Sequence, residues 1–600
     1  MCGIAGILAI NHHQDSLASR IERMQMALQH RGPDDKGIYI SKDHQVALAH
    51  TRLSILDLSA AGHQPMSTPC GRYWITFNGE IYNFQQLRQN LISQGEQFQS
   101  QTDTEVILKL YQRIGADCVN HLRGMFAFAI WDDLEKTCFL ARDPLGIKPL
   151  YYWQSSSTIA FASELRAIVA SGLPPVNLSV EGLYGYLING SVPEPYTLIE
   201  GVRCLSAGHW LQWQSGNIIQ KQYWRIQFTP EKISPQEARE ITRTALVDSI
   251  KHHFISDVPV GIFLSGGIDS TSVLALASQT QSQQLQTYSV AFEEQKWSEG
   301  EIAQRAAKHF GANHTEYKIT ASIAKNLLPR YLEAIDQPSV DGFNTFCVSQ
   351  IAHDNGTKVV LSGLGGDELF GGYRSFQKVP KMVTWGKHLH TIPQLAILFG
   401  KGLAHWGRTS QTKRLGDFLQ QPSTISNAYH SFRGIFSHNE ARAILQQYIN
   451  LTPLPSSFPV CREGVGVGFQ TPQDEVSFLE LTSYMRNQLL RDSDVMSMNW
   501  GLELRVPLVD QNLLEVIATI PSNIRLAQGK QLLIQAVPEL PEWIYNRRKQ
   551  GFSFPLETWI SGELKDYFSN INCPKNIPLT PWYRRWGLLV LQHWWRQISK

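Results

Sequence analysis

The sequence predicts two successive domains, an α+β domain at residues 1–205 and an α/β domain at residues 236–600, joined by a linker at residues 206–235. Short β-branched and aromatic runs broken by Gly, Asn and Pro fill the first domain, and such runs are typical of antiparallel strands. Further along, apolar runs alternate with Gly turns and helical patterns, which indicates βα units around a parallel sheet. Gly208 and Gly216 mark the change of pattern between the two.

In the first domain we predict strands at 72–77, 125–131 and 158–162, where β-branched and aromatic residues cluster. Helical spacing at 21–29 and 104–113 predicts helices that pack on these strands. Strands outnumber helices here, so the domain belongs to the α+β class.

The second domain begins with an amphipathic helix at 238–252, which Pro235 opens. Its predicted strands are the apolar runs Val258–Leu264, Thr287–Phe292 and Lys358–Leu361, and a helix follows the first of them at Val273–Gln279. From about 375 to 480 the spacing is helical, apart from a Pro/Ser/Gly loop near 452–468. We therefore expect a parallel sheet followed by a helical C-terminal part.

Composition excludes several classes of protein. The chain of 600 residues has 54 Lys and Arg against 52 Asp and Glu, and a formal charge of +2. This balance predicts no binding to nucleic acid or to an anionic membrane by bulk charge.

No apolar run approaches the roughly 18 residues of a membrane span, and no signal-peptide pattern is present. Eight cysteines without a Cys-x-x-Cys pair favour reduced thiols over zinc. We therefore expect a cytoplasmic protein.

The N-terminus carries a candidate nucleophile. The small residue at position 2 permits removal of Met1, which would leave Cys2 with a free α-amine. An α-amine titrates at about 8, so it can act as the base for the adjacent thiol near neutral pH. Nucleophile and base would then belong to a single residue.

Polar and glycine-containing turns follow Cys2 within 150 residues and supply what amide hydrolysis needs. An Asn side chain and a Gly N–H can form an oxyanion hole, an Arg can bind a carboxylate, and an acidic pair can bind an ammonium group. The turns are RGPD at 31–34, AHTRLSI at 49–55, NGEIYN at 78–83, TDTE at 102–105 and RDPLG at 142–146.

These turns, in this order, resemble those of the class II, N-terminal-nucleophile glutamine amidotransferases. The resemblance implies an αββα sandwich that hydrolyses glutamine. The implied residues of the glutamine site are Cys2 as nucleophile, Asn78 and Gly79 as oxyanion hole, Arg52 for the α-carboxylate, and Glu80 with Asp103 for the ammonium group.

A second constellation, SGGIDS at 265–270, follows an apolar strand and enters a helix. A Gly-rich turn at a helix N-terminus presents free N–H groups and the positive end of the helix dipole to an anion. No Lys follows the glycines, so the turn is not a Walker A loop. The pattern predicts a phosphate site.

SGGIDS resembles the pyrophosphate loop of the ATP pyrophosphatases, which adenylate a substrate and release pyrophosphate. A later turn, SGLGGDELFGGY at 362–373, ends another strand at the same sheet edge. The resemblance implies ATP as substrate and Mg²⁺ held by Asp269 and Asp367. The implied nucleotide site comprises Leu264, Ser265, Gly266, Gly267, Asp269, Ser270, Val290, Ser362, Gly363, Asp367 and Lys530.

Three C-terminal segments resemble signatures of the glutamine-dependent asparagine synthetases. They are 491–510, Gly529–Lys530 and the basic motif 547–552. The resemblance implies ATP, aspartate and glutamine as substrates, an acyl-adenylate attacked by ammonia, and a buried tunnel between the domains. Homodimers are common in that family, so a homodimer is a possible assembly.

Two departures from the family pattern leave the acceptor open. Leu364 stands where those enzymes have a Glu that is thought to act as base, so Glu368, Asp367 or a phosphate oxygen would have to replace it. The acceptor segment 336–346 carries no Arg for an aspartate α-carboxylate. The leading interpretation is an asparagine synthetase.

The first alternative is a related amidotransferase that amidates another carboxylate in a secondary-metabolite or polysaccharide pathway. A non-catalytic sensor of glutamine or nucleotide is the second alternative, but binding alone needs no nucleophile such as Cys2. A synthetase that uses an amine in place of ammonia is also disfavoured, because such an enzyme has no use for a nucleophile at Cys2.

Overall fold

The computed structural model describes residues 2–10, 14–294, 299–449, 468–547 and 554–599. The predicted loop near 452–468, except for Gly468, lies outside the described residues, and so do residues 548–552 of the basic motif and Cys461.

The strands of the first domain form two antiparallel sheets, each of six strands among the described residues. In chain order the strands are β1 (Gly3–Ala9), β2 (Asp35–Ile40), β3 (Val46–Arg52), β4 (Met66–Ser67), β5 (Tyr73–Ile81), β6 (Gly124–Asp132), β7 (Thr137–Arg142), β8 (Tyr151–Gln154), β9 (Thr158–Ala162), β10 (Val202–Cys204), β11 (His209–Gln214) and β12 (Asn217–Gln222). The first sheet has the order β10-β8-β9-β1-β3-β2, and the second has the order β12-β11-β7-β6-β5-β4.

The strands of the second domain form a parallel sheet with the order β15-β14-β13-β16-β17. They are β13 (Val260–Phe263), β14 (Gln286–Phe292), β15 (Asn313–Ile319), β16 (Val359–Leu361) and β17 (Glu503–Arg505). The chain extends the sheet on one side of β13 and then returns to extend it on the other. The switch point, where open α/β sheets bind ligands, therefore lies between β13 and β16.

Helices cover the sheets and build the C-terminal part. In chain order they are α1 (Gln14–Ala27), α2 (Phe84–Ser93), α3 (Asp103–Ile114), α4 (Leu165–Ala170), α5 (Val180–Asn189), α6 (Pro235–His253), α7 (Ile268–Thr280), α8 (Gly300–His309), α9 (Ala321–Ala334), α10 (Phe343–Asp354), α11 (Gly366–Phe370), α12 (Ser375–Leu389), α13 (Pro393–Trp406), α14 (Ser410–Leu419), α15 (Ile425–Arg433), α16 (His438–Tyr448), α17 (Pro472–Leu479), α18 (Arg491–Met498), α19 (Gln511–Ala518), α20 (Ser522–Arg525), α21 (Gln531–Ala536), α22 (Glu542–Tyr545), α23 (Leu556–Ser561) and α24 (Tyr583–Ile598). A π-helical turn, Glu480–Leu490, joins α17 to α18.

The alternation of side chains along β6 shows how the first domain is layered. Ala127, Ala129 and Trp131 join a core with residues of the first sheet, whereas Phe126 and Phe128 pack in a separate core with α3. Successive residues of a strand point to opposite faces, so one strand serves both layers. Helices α1 and α4 contact the first sheet and α3 contacts the second. The predicted αββα sandwich and the predicted parallel-sheet domain are confirmed.

The segment 206–235 differs from its prediction as a linker, because β11 and β12 lie within it and extend the second sheet. Leu211 and Trp213 of β11 point into the core while their neighbours are more exposed. This period-2 pattern was hidden by the adjacent glycines Gly208 and Gly216, which form turns with positive φ of 65° and 84°. The chain leaves the sheet at Gln222.

Helix α6 begins where the sequence predicts a helix start. Ser234 caps it, accepting a hydrogen bond from the N–H of Glu237, whose side chain in turn accepts one from the N–H of Ser234. Pro235 occupies the first turn, where its missing N–H costs nothing. No helix among the described residues has both the length and the apolar character needed to span a bilayer.

Candidate functional site

Cys2 and Asn78 are hydrogen-bonded partners. The backbone N–H of Cys2, just before β1, donates to Oδ1 of Asn78 in β5 over 3.0 Å. Asn78 is fully buried, and its Nδ2 has no hydrogen-bond partner among the described residues. An unpaired buried donor costs free energy unless a ligand supplies the acceptor. The amide therefore presents a donor next to the candidate nucleophile.

The thiol of Cys2 is buried, and burial raises its pKa. The N–H of Leu53 and the charge of Arg52 oppose that rise. A thiol held neutral in this way needs a base to become nucleophilic.

Gly79, next to Asn78, must be glycine because β5 and β6 approach closely. A Cβ on Gly79 would lie 2.1 Å from the carbonyl oxygen of Met125, and its φ is 155°. Absence of a side chain leaves the backbone at this position close to its neighbour strand.

Arg52 comes near Cys2 through strand register, since Gly3 of β1 pairs with Thr51 of β3. Its guanidinium donates to the carbonyl oxygens of Leu56, Asp57 and Ser59 at 3.2, 2.5 and 3.0 Å. In this conformation Arg52 holds the loop after β3.

Asp103 and Glu80 lie at the end of β5. Asp103 Oδ2 accepts a hydrogen bond from the N–H of Ile81 over 2.9 Å, and burial raises the pKa of this carboxyl to about 7. Burial also raises the pKa of Glu80, reinforced by the neighbouring charge of Glu503 and opposed by Arg505. Thus the structure brings together all six predicted residues of the glutamine site around the ends of β1, β3 and β5.

Sequence reasoning missed Arg31, although it singled out the RGPD turn. Arg31 is fully buried, and its Nε donates to the carbonyl oxygen of Cys2 over 3.0 Å. Its Nη1 donates to Glu164 Oε1 and its Nη2 lies beside Asp494 Oδ2, both at 2.8 Å. Since Asp494 belongs to the second domain, Arg31 ties the nucleophile's backbone to α18.

Arg505 was missed as well, although it lies inside a quoted signature. Its Nη2 lies 3.6 Å from Glu80 Oε1, and its Nε donates to Glu503 Oε1 over 2.5 Å. Its carbonyl oxygen accepts the N–H of Ser362 over 2.9 Å. One residue of β17 therefore touches both candidate sites.

The first nucleotide loop follows β13 and enters α7 at Ile268. Ser265 and Ser270 hold it closed, with their hydroxyl oxygens 3.0 Å apart. Gly266 has a φ of 68°, and its carbonyl accepts a hydrogen bond from Arg547 over 2.9 Å. The first turn of α7 thus faces the switch point of the sheet with its N–H groups available for an anion.

The second loop packs directly against the first. A Cβ on Gly363 would lie 2.6 Å from the backbone N of Ser270, and one on Gly366 would lie 2.3 Å from Asp269 Oδ1. Both positions therefore require glycine. Val290, another residue of the implied nucleotide site, is buried in β14, the strand next to β13.

Lys530 joins the two loops. Its ammonium donates to both carboxylate oxygens of Asp269, at 2.7 and 2.5 Å, and also contacts Asp367. Burial by itself would lower the pKa of Lys530, but the charges of the two aspartates leave that pKa raised. Lys530, which the resemblance assigns to the nucleotide site, is buried.

The pair Asp269 and Asp367 suits a hard cation, because carboxylate oxygens are the ligands that Mg²⁺ prefers. Both side chains already contact the ammonium group of Lys530. Among the described residues no cluster of three or more His, Cys, Asp or Glu could hold a metal. A magnesium ion here would thus rely on these two carboxylates together with substrate phosphates.

Glu368 lies in α11, four residues after Leu364. It is buried, and burial together with the charges of Asp367 and Glu480 raises its pKa to about 8. Its Oε1 accepts a hydrogen bond from the hydroxyl of Tyr373 over 2.9 Å.

A cavity of about 480 Å³ is partly lined by the predicted acceptor segment. From that segment it takes Val340, Asp341, Phe343 and Asn344, and further rings come from several helices. A volume of this size is that of a pocket for a small molecule with several rings or branches.

Arg433 lines the cavity from α15, far from the acceptor segment in sequence. Its guanidinium stacks over the rings of Tyr373 and Tyr484, 4.4 and 4.0 Å from their centroids, and pairs with Glu480 at 2.7 Å. Arg433 therefore brings a guanidinium from another element to the lining of this cavity, where it is paired with Glu480.

Comparisons with known proteins cover both domains. The family described as a glutamine amidotransferase domain matches residues 1–224, and the family described as asparagine synthase matches residues 242–588. A curated protein of Bacillus subtilis (strain 168), named asparagine synthetase [glutamine-hydrolyzing] 1, is 32% identical over 95% of this chain and 90% of its own length.

Two more distant similarities were found. An amidase of Gibberella zeae is 26% identical over 96% of this chain and 92% of its own length. Among solved structures, a glutamine phosphoribosylpyrophosphate amidotransferase of Bacillus subtilis covers 60% of this chain and 75% of its own at 17% identity, with a TM-score of 0.29. That structural likeness is too low to carry an argument.

Proposed function

Because this chain belongs to the asparagine synthetase family of glutamine-dependent ligases, we propose that it hydrolyses glutamine and transfers the ammonia to a carboxylate that ATP activates. The leading acceptor is aspartate, which would give asparagine, glutamate, AMP and pyrophosphate.

The single observation that best supports the proposal is the Cys2–Asn78 pair. Asn78 uses Oδ1 to bind the nitrogen of Cys2 and keeps Nδ2 without a partner among the described residues. In the proposed reaction the α-amine of Cys2 takes the thiol proton, and sulfur attacks the amide carbon of glutamine. Asn78 Nδ2 and the N–H of Gly79 then stabilise the oxygen that gains negative charge.

Release of ammonia completes this half-reaction. The proton held by the α-amine passes to the departing nitrogen, and water then hydrolyses the thioester to glutamate and free Cys2. Asp103 and Glu80 are proposed to bind the ammonium group of glutamine and Arg52 its α-carboxylate, for which Arg52 would exchange at least one loop carbonyl.

In the second half-reaction the acceptor carboxylate attacks the α-phosphorus of ATP and pyrophosphate leaves. We propose that the turn 265–270 binds the pyrophosphate through its N–H groups, and that Lys530 neutralises the charge that develops on it. Magnesium, when bound by Asp269 and Asp367, would supply further neutralisation of the phosphates.

Ammonia then attacks the acyl-adenylate and must lose a proton as AMP departs. Glu368 is the proposed base in place of the family's Glu at position 364, because its raised pKa of about 8 lies near the working pH. The Arg505–Glu80 contact spans the direction that ammonia would take between the sites, and a tunnel there remains a prediction.

The experiment that tests the proposal measures pyrophosphate release with ATP, Mg²⁺ and glutamine, with and without aspartate, with mass detection of the product. Aspartate-dependent release accompanied by asparagine is the expected result. Glutaminase activity with no pyrophosphate release on aspartate would contradict aspartate as acceptor but leave the amidotransferase assignment standing. Absence of both activities would contradict the assignment as a whole.

A second candidate is amidation of a larger carboxylate. The cavity of about 480 Å³ that the acceptor segment partly lines favours it, since aspartate would occupy only a part of such a volume. In a panel of carboxylates, the true acceptor is expected to raise pyrophosphate release above the level without acceptor. Phe343→Ala is expected to raise KM for that acceptor without changing glutaminase activity. If aspartate binds elsewhere, the same substitution would leave KM for aspartate unchanged.

A further inference from the structure

Helix α13 packs with its small residues inward and its large apolar residues outward. Ala396, Gly400 and Ala404, spaced four residues apart, are buried against α14. On the opposite face Leu398 and Trp406 are 66% and 79% exposed. A surface helix normally presents the reverse arrangement.

The inward face is too tight for the helix to turn round. A Cβ on Gly400 would lie 2.8 Å from the carbonyl oxygen of Gly416, and one on Gly416 would lie 2.4 Å from the backbone N of Ala404. The two helix backbones therefore touch, and no large side chain fits between them. The outward position of the apolar residues is a consequence of this packing.

The exposed apolar surface, which we call the α13 face, forms a stripe at helical spacing. It consists of Ile392, Leu395, Leu398, Phe399 and Trp406, each more than half exposed. Exposed apolar residues that occur singly are ordinary, but a contiguous stripe marks an interaction site.

Basic residues flank the α13 face along the chain. The sequence contains no Asp or Glu from residue 375 to residue 416. Exposed positive side chains lie before, within and after the stripe, namely Lys378, Lys381, Lys387, Lys401 and Arg408. The whole-chain charge of +2 conceals this local excess, because acidic residues elsewhere balance it.

The charge around the α13 face distinguishes two occupants, a second copy of this chain and an anionic lipid surface. In a symmetric dimer the same patch would face itself, so the lysines around it would meet lysines. An anionic lipid surface instead offers negative headgroups to the lysines and a hydrocarbon boundary to the leucines. Trp406 at the end of the stripe and Trp385 on α12, which is 43% exposed, have the amphipathic rings that favour a bilayer interface.

We propose that the α13 face binds the surface of an anionic phospholipid membrane, with α13 lying in the headgroup region. The helix has 14 residues, hence a length of about 21 Å, which is too short to cross the hydrocarbon layer. Binding is therefore peripheral and reversible. This inference does not depend on which acceptor the enzyme uses.

The test is flotation of the purified full chain with vesicles of phosphatidylcholine alone or of phosphatidylcholine with one-third phosphatidylglycerol. The expected result is binding to the anionic vesicles that weakens at least tenfold on the neutral ones and also weakens with salt. Replacing Lys401 or Arg408 by Ala is expected to weaken binding about fivefold each. The double variant Leu398→Glu with Phe399→Glu should lose at least tenfold.

Ile219→Glu is the matched control, because Ile219 is 64% exposed on β12 of the other domain. It is expected to bind vesicles as the unaltered chain does, and glutaminase activity of every variant verifies folding. Equal binding by the double variant and the unaltered chain would overturn the proposal. Absence of flotation of the unaltered chain would also overturn the proposal. That outcome includes the case in which the unaltered chain is a dimer and the double variant is a monomer.

Discussion

Nη2 of Arg505 lies 3.6 Å from Oε1 of Glu80, although the two residues belong to different domains. Glu80 lies in the same strand as Asn78. The carbonyl oxygen of Arg505 accepts a hydrogen bond from the N–H of Ser362 in the second nucleotide loop. A shift of β17 would therefore be felt at both candidate sites. If ammonia passes between the two sites as proposed, this contact is a physical link between them.

Loss of the Arg505 charge should destabilise the chain. Arg505→Met would remove the charge and the hydrogen bond that Arg505 gives to buried Glu503, and we expect a loss of about 3–5 kcal/mol in the free energy of unfolding. Urea denaturation followed by tryptophan fluorescence measures it. Arg239→Met, at an exposed position of α6, is the control; equal stability of the two variants would refute the importance of the buried pair.

Asn78→Ala removes the unpaired buried donor beside Cys2. Because an oxyanion donor acts mainly in the transition state, glutaminase kcat should fall about 10²–10³-fold with little change in KM. Steady-state glutamate release gives both constants. Ammonia-dependent synthesis should be unaffected, and an unchanged kcat would exclude Asn78 from the oxyanion hole.

Cys2→Ala should abolish synthesis from glutamine and spare synthesis from ammonia, because only the first reaction needs a nucleophile. Pyrophosphate release with each nitrogen source distinguishes them. If both activities disappear in a variant that remains folded, the division into two sites would be wrong.

Glu368 should impose a pH dependence on the synthetase reaction. A base acts when it is deprotonated, so at a fixed concentration of free ammonia the rate should rise as the pH passes through about 8, the pKa that burial produces. Glu368→Gln should lower the rate and remove the rise. A variant that keeps the same profile would transfer the role of base to Asp367 or to a phosphate oxygen.

Gly372→Ala should damage the nucleotide site selectively. The added Cβ would lie 1.8 Å from Asp367 Oδ1 and 2.5 Å from Lys530 Cε, so the side chains of both residues would have to move away from it. We expect pyrophosphate release to fall at least tenfold while glutaminase activity persists. Gly402→Ala is the control, since its Cβ would meet its nearest neighbour only at 3.6 Å; equal effects would argue against a special role for the close approach.

Local patterns along the chain were sufficient to predict many of its helices, strands and turns. Runs of β-branched and aromatic residues predicted strands such as β9, glycine turns predicted both nucleotide loops, and Pro235 predicted the start of α6. These features depend on neighbours in the chain, through side-chain period and backbone conformation, so local patterns suffice to recognise them.

The fold was needed to show which groups that are distant in sequence come into contact. It brought Arg31 to Asp494, buried Lys530 between two aspartates, placed Arg433 beside the acceptor segment and turned the large side chains of α13 outward. Each of these outcomes depends on close packing between elements remote in sequence, where a glycine such as Gly416 or the register of β17 sets the approach. No periodicity along the chain encodes such contacts, because they arise from the shapes of two surfaces that fold together.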